Sequence, residues 1–154
     1  MAIRLNDEAA ALLRDAQTTK FLSTLGPDGT IHGVFKEFVE VEEDGNILLL
    51  ELLESSITNR NLVNSLWFKK QVSIAARSAG GTSWQIKGIP IRCLITGPKF
   101  EKYYALARTL FGDVDLSSVW IIEPVEARNE TFTVRKEEEE AKHPLFVHLD
   151  RLAK

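Results

Sequence analysis

Ile47-Leu48-Leu49-Leu50-Glu51-Leu52-Leu53-Glu54-Ser55-Ser56-Ile57-Thr58-Asn59-Arg60-Asn61-Leu62-Val63-Asn64-Ser65-Leu66-Trp67 reads as an apolar strand that breaks into a polar turn and then starts a helix. The run from Ile47 to Leu53 is short and almost wholly apolar, as expected of a strand buried on both faces. Glu54-Ser55-Ser56 ends it, and Ser55 or Ser56 is a good N-cap for a helix from about Ile57. A helix start carries unpaired N–H groups and the positive end of the macrodipole, so it attracts anions. Ser55, Ser56, Thr58 and Asn61 add hydroxyl and amide groups there, and Arg60 adds charge. Two readings stay open: a seat for a phosphate, or a well-capped helix that binds nothing.

Upstream of this stretch, Asn6 or Asp7 can cap an alanine-rich amphipathic helix over about Asp7 to Ala16. Thr18 to Leu25 is strand-like, and Gly26-Pro27-Asp28-Gly29 turns the chain. Thr30 to Glu42 resumes an extended pattern whose alternation is imperfect: Phe35, Glu37, Val39 and Val41 oppose Lys36, Phe38, Glu40 and Glu42. Asp44-Gly45-Asn46 is a second hairpin turn, leading into the buried strand.

Downstream, Lys69 and Lys70 lie near the end of the helix, where they complement its dipole. Gln71 to Arg77 is a strand, and Ser78-Ala79-Gly80-Gly81 a flexible turn. Thr82 to Thr96 is a long strand in which Gly88 and Pro90 imply a bulge or bend. Gly97-Pro98 opens a second helix with Pro98 at N1 and an apolar stripe running from Phe100 to Phe111 before Gly112. Ser118 to Glu126 is a further strand, and a turn at Asn129-Glu130 leads into Thr131 to Arg135. Lys136 to Lys142 is a solvated charged segment, and His143 to Leu152 is expected to be a short helix. Hairpin turns dominate and no Gly-x-Gly-x-x-Gly follows a strand. The expected fold is therefore mainly β, an antiparallel barrel with helices at its mouths.

A chain of 154 residues is expected to be one domain, 1–154, and folding at that length hides roughly 68–70% of the unfolded surface. The hydrophobic share of 44% excludes a disordered chain, and a net charge of −3 provides no basic field to gather nucleic acid or anionic lipid. Cys93 is the only cysteine, so no internal disulfide forms, which suits a cytoplasmic protein. The N-terminus is too acidic and amphipathic for a signal peptide, and no apolar run has the length of a membrane span. His32, His143 and His148 show no metal-ligand spacing, so no metal is expected.

Taken together, these pieces resemble the pyridoxamine 5′-phosphate oxidase-like FMN-binding split-barrel flavoproteins, over about residues 18–126. The markers are Phe21-Leu22-Ser23-Thr24-Leu25-Gly26-Pro27-Asp28-Gly29 with Ile31-His32, then Asp44-Gly45, then Ser56-Ile57-Thr58-Asn59-Arg60-Asn61-Leu62. Trp84-Gln85-Ile86-Lys87-Gly88 and Thr96-Gly97-Pro98-Lys99-Phe100-Glu101 follow. The resemblance implies a six-stranded split barrel, a homodimer with FMN in its interface, and redox transfer of electrons or hydride to an unknown acceptor. The family's phosphate turn often has the form Lys/Arg-Thr-x-x-Asn. Thr58 and Asn61 match it, while Ile57 replaces the basic residue, leaving Arg60 or Lys36 to compensate. Phe35 and Lys36 fall where the family presents its second strand to the flavin; Phe35 either stacks on a ring or fills the site. Lys87 is a cation to place near a flavin or an ordinary strand lysine, and Trp84 either contacts the cofactor across a subunit boundary or sits in the core. The basic substrate-phosphate residues of true pyridoxamine 5′-phosphate oxidase are not recognisable, so that activity is not expected. The alternative expectation is a split barrel that has lost FMN and binds haem, a deazaflavin or another ligand, motivated by Ile57 and Phe35.

Overall fold

A computed structural model describes residues 2–152. Its strands are β1 (Thr19–Leu25), β2 (Ile31–Phe35), β3 (Val39–Val41), β4 (Ile47–Glu51), β5 (Val72–Arg77), β6 (Ser83–Leu94) and β7 (Ser118–Asn129). Its helices are α1 (Asp7–Arg14), α2 (Ile57–Phe68), α3 (Pro98–Phe111), α4 (Phe132–Lys142) and α5 (Leu149–Leu152). All strand pairs are antiparallel, in the order β2-β1-β5-β6-β7-β4-β3. The two edge strands, β2 and β3, are joined directly by Lys36–Phe38, so the sheet curls until its ends meet across that link.

This link accounts for the strand count of seven where the resemblance implies six. The extended run from Thr30 to Glu42 is not one strand. It pairs with β1 over Ile31–Phe35 and with β4 over Val39–Val41, and between them it turns inward. Lys36 sends its ammonium to the end of β4, while the backbone carbonyl of Glu37 accepts from Lys20 Nζ at 3.4 Å. The imperfect alternation of that stretch is this break.

β4 is buried along its whole length, and the two faces serve different cores. Ile47 and Leu49 point into the barrel with Leu22, Ile74, Ile86, Trp120 and Ile122, which α1 closes through Ala9, Leu12 and Leu13. Leu48 and Leu50 point outward against Tyr103 and Ala107 of α3 and Val119 and Ile121 of β7. Each large side chain so buried is worth roughly 1.5–3 kcal/mol, which makes β4 the axis of the fold. Gly88 and Pro90 mark register shifts between β6 and β7, as expected. A Cβ on Gly88 would lie 2.5 Å from Ile122 Cγ2 and 2.9 Å from the Glu123 carbonyl oxygen, so only glycine fits the crossing.

The C-terminal region departs further from expectation. β7 runs on to Asn129, past the expected end at Glu126, and Thr131 caps α4, which takes in the rest of the segment to Arg135. Lys136–Lys142 is solvated but helical, tied by the Lys136–Glu140 pair and by Lys142–Glu138 at 2.9 Å. Of the expected helix over His143–Leu152, only Leu149–Leu152 is helical, and residues 1, 153 and 154 of the single-domain reading lie outside the described residues. No described helix is long and apolar enough to cross a membrane.

Candidate functional site

The turn after β4 is built as its sequence dictates. Ser56 is the N-cap of α2, its Oγ accepting from the Asn59 N–H at 2.9 Å, and the Arg60 N–H donates to the Ser56 carbonyl at 3.1 Å. Ile57 and Thr58 are left at the positive end of the helix. Asn59 ties this end to the barrel: its Oδ1 accepts from Trp120 Nε1 at 3.0 Å and from Ser118 Oγ at 3.4 Å, both on β7. Its Nδ2 donates to the Glu54 carbonyl at 3.0 Å, closing the turn on itself.

Two recesses flank the helix start, with His32 in both. The first, about 350 Å³, is bounded by the β2–β3 link, the end of β4 and the tip of α3; Phe35, Lys36, Ser56 and Thr58 line it together with Phe38, Leu52, Leu53 and Phe111. Its walls are mostly apolar and it opens on Phe35, which is 69% exposed. The second, about 420 Å³, lies over the β1–β2 turn and is lined by Asp28, Thr30, Ile57, Arg60 and Asn61. Asn61 is buried, donates from Nδ2 to Thr24 Oγ1 at 3.1 Å, and leaves its Oδ1 without a partner. Hydrogen bonds from Thr30, the backbone N–H foremost, hold the Asp28 carboxyl below its usual range, and the nearby Arg60 charge adds to this. Arg60 itself makes no ion pair among the described residues.

The floor of the first recess holds a residue that the sequence reading passed over. Glu51 ends β4 only 5% exposed. Its Oε2 receives Lys36 Nζ at 3.1 Å and its Oε1 receives the Ser56 hydroxyl at 3.0 Å, while Lys36 also donates to the Leu50 carbonyl at 3.1 Å. Lys36, which the sequence offers as a substitute for the missing base at Ile57, is thus already paired with an acid. The signal was a single charge inside an otherwise apolar strand, since a carboxylate is buried only with partners.

Of the sequence-selected residues, Phe35, Lys36, Ser56 and Thr58 meet in one recess, and Asn61 faces the adjoining one. Ser55 is exposed at the turn and lines neither. Lys87 pairs with Glu126 at 3.3 Å and lines a different hollow on the outer sheet face, with Ser23, Thr24 and Ile31. Trp84 is a core residue whose Nε1 donates to Glu8 Oε1 of α1 at 3.3 Å. Within one chain neither reaches the α2 turn. Cys93 is half-buried, and burial pushes its thiol up from the ordinary value. No group of three His, Cys, Asp or Glu side chains is placed to hold a metal ion among the described residues.

A curled antiparallel sheet closed over a central core, with helices at its openings, is a split β-barrel. Its shape is that of the pyridoxamine 5′-phosphate oxidase-like proteins, as solved structures show. HupZ from Group A Streptococcus superposes with a TM-score of 0.68 at 16% identity, over 83% of this chain and 95% of its own. An FMN-binding protein from Syntrophomonas wolfei subsp. wolfei superposes with a TM-score of 0.67 at 12% identity, over 82% and 86%. HutZ, the heme storage protein from Vibrio cholerae, does so with a TM-score of 0.58 at 15% identity, over 82% and 95%. Proteins assigned as pyridoxamine 5′-phosphate oxidases share the fold as well. No protein-family model matches the sequence, and no curated protein sequence is similar to it.

Proposed function

We propose that this protein is an FMN-binding oxidoreductase, which holds the flavin along the β2–β3 link and over the start of α2, at the seam of a homodimer. The observation that carries this reading is the convergence of Phe35, Lys36, Ser56 and Thr58 on one apolar-walled recess at a helix N-terminus. The residues present fit such a group. Val34, Phe35, Phe38 and Leu52 provide apolar surface for a planar ring. The Thr58 hydroxyl, the free N–H groups at the helix start and Arg60 in the adjoining recess are donors for a phosphate. Bound FMN would supply the redox chemistry, and the protein would bind it, orient it and set the charge around it.

The homodimer rests on the same surface. Ile31, Phe35 and Leu53 are large apolar side chains left open beside the recess, and a second copy is the occupant that the resemblance implies. In such a pair the outer sheet face that carries Lys87 is where a partner's cation would approach a ligand. We place the protein in the cytoplasm, a compartment that its single cysteine, Cys93, suits. An absorption spectrum of the purified protein, an FMN titration and the mass in solution test the reading together. Flavin uptake by a dimer supports it; a monomer that takes up no flavin refutes it.

A second reading is favoured by one observation: Ile57 stands at the helix start where a base is expected, and Lys36 is paired with Glu51. The recess would then hold a haem, a deazaflavin or another planar ligand in place of FMN. In a thermal-shift panel of FMN, haem and deazaflavin, stabilisation by FMN alone eliminates this alternative, and stabilisation by another member without FMN establishes it.

A further inference from the structure

Resting on the flavin reading, we infer that Glu51 is a specificity-determining residue that withholds the recess floor from phosphate, so that this barrel discriminates weakly between phosphorylated and unphosphorylated flavins. Two donors that line the recess, Ser56 Oγ and Lys36 Nζ, both donate to the Glu51 carboxylate, at 3.0 and 3.1 Å. A Ser hydroxyl has a single hydrogen to donate, so Ser56 has none left for a phosphoryl oxygen. Lys36 spends a second hydrogen on the Leu50 carbonyl, and its charge is matched by Glu51.

The surroundings reinforce the effect. Across both recesses the cations Lys36 and Arg60 are balanced by Glu51 and Asp28, and Glu37 adds a further acid. A phosphate dianion brought to the α2 N-terminus therefore gains the helix dipole and Arg60 but meets a buried carboxylate. The pair cannot simply swing away, because Glu51 ends a strand buried on both faces and opposite Ser118 of β7. The ring-binding walls do not depend on this charge. Glu51 thus acts on the phosphate end of the ligand, and removing its charge should change the ratio of the two affinities.

The test is a fluorescence titration of wild type, Glu51→Gln and Glu51→Thr with riboflavin and with FMN, repeated with inorganic phosphate as competitor. The threonine variant keeps a strand-forming residue and serves if the glutamine variant does not fold. Wild type is expected to bind the two flavins within a few-fold of each other. Loss of the charge is expected to raise the FMN-to-riboflavin affinity ratio on the order of tenfold or more, given the strength of like-charge repulsion in a partly desolvated groove. Phosphate should then compete with FMN in the variant more strongly than in wild type. An unchanged FMN-to-riboflavin ratio in variants that bind flavin overturns the inference and leaves the flavin reading standing. Failure of every protein to bind either flavin overturns both.

Discussion

Replacing Lys36 by Met isolates the energetics of the pair at the recess floor. The Lys36 and Glu51 side chains are 14% and 7% exposed, so water screens them little. The substitution keeps most of the aliphatic stem but strips Glu51 of its charge partner and the Leu50 carbonyl of a donor. Breaking a buried pair from one side costs about 3–5 kcal/mol. The Ser56 hydroxyl remains on Glu51, which places this case near the low end, about 3 kcal/mol. For a chain of this length that lowers the midpoint of thermal unfolding by about 6–12 °C. Removing both charges with Lys36→Met and Glu51→Leu should recover most of the loss, to within about 1.5 kcal/mol of wild type, because the buried charge has gone. The control is Lys87→Met: its bridge to Glu126 is 41% and 54% exposed, so its loss costs no more than about 0.5 kcal/mol. Urea unfolding of the four proteins decides the matter. A Lys36→Met variant as stable as Lys87→Met, or a double variant no better than the single, would refute the account of the recess floor.

Three more outcomes are expected. Gly88→Ala places a methyl group against Ile122 and the Glu123 carbonyl, neither of which can retreat without shifting the β6–β7 crossing; denaturant unfolding should show a loss of about 2 kcal/mol, whereas Gly29→Ala meets no neighbour and suffers only from its positive φ. Lys69 closes α2 in the left-handed region at φ 53°, so Lys69→Gly should raise stability by about 0.5–1 kcal/mol in the same assay. Lys20 is buried and desolvation holds its ammonium below the ordinary value of 10.5. The unfolded chain therefore binds the extra proton between the folded value and 10.5, and stability rises with pH through that window. Lys20→Met should be more stable than wild type at neutral pH and should lose that advantage as pH climbs through the window. Tyr103, whose hydroxyl burial raises above 10.0, pulls the other way, so the difference between the two proteins is the quantity to measure.

What the residues reveal by themselves is the local grammar of the fold. The apolar run of β4, the Ser56 cap with its helix from Ile57, Pro98 and Gly112 bracketing α3, and the break at Gly88 are all properties of short stretches. Periodicity and capping depend on neighbours along the chain, and they are legible there. The resemblance carried by the order of these pieces led to the split barrel that the solved structures share. What tertiary structure alone decided is which side chains meet. Lys36 and Glu51 lie on segments separated by a hairpin, and nothing local shows that one neutralises the other. Strand alternation alone sets Trp84 and Lys87 on opposite faces of β6, but only the closed sheet decides that the face of Trp84 lies under α1 and that of Lys87 is the outer one. The division has one physical cause: backbone geometry is set by near neighbours, whereas the charge and shape of a recess are set by groups that only chain closure brings within a few ångströms of one another.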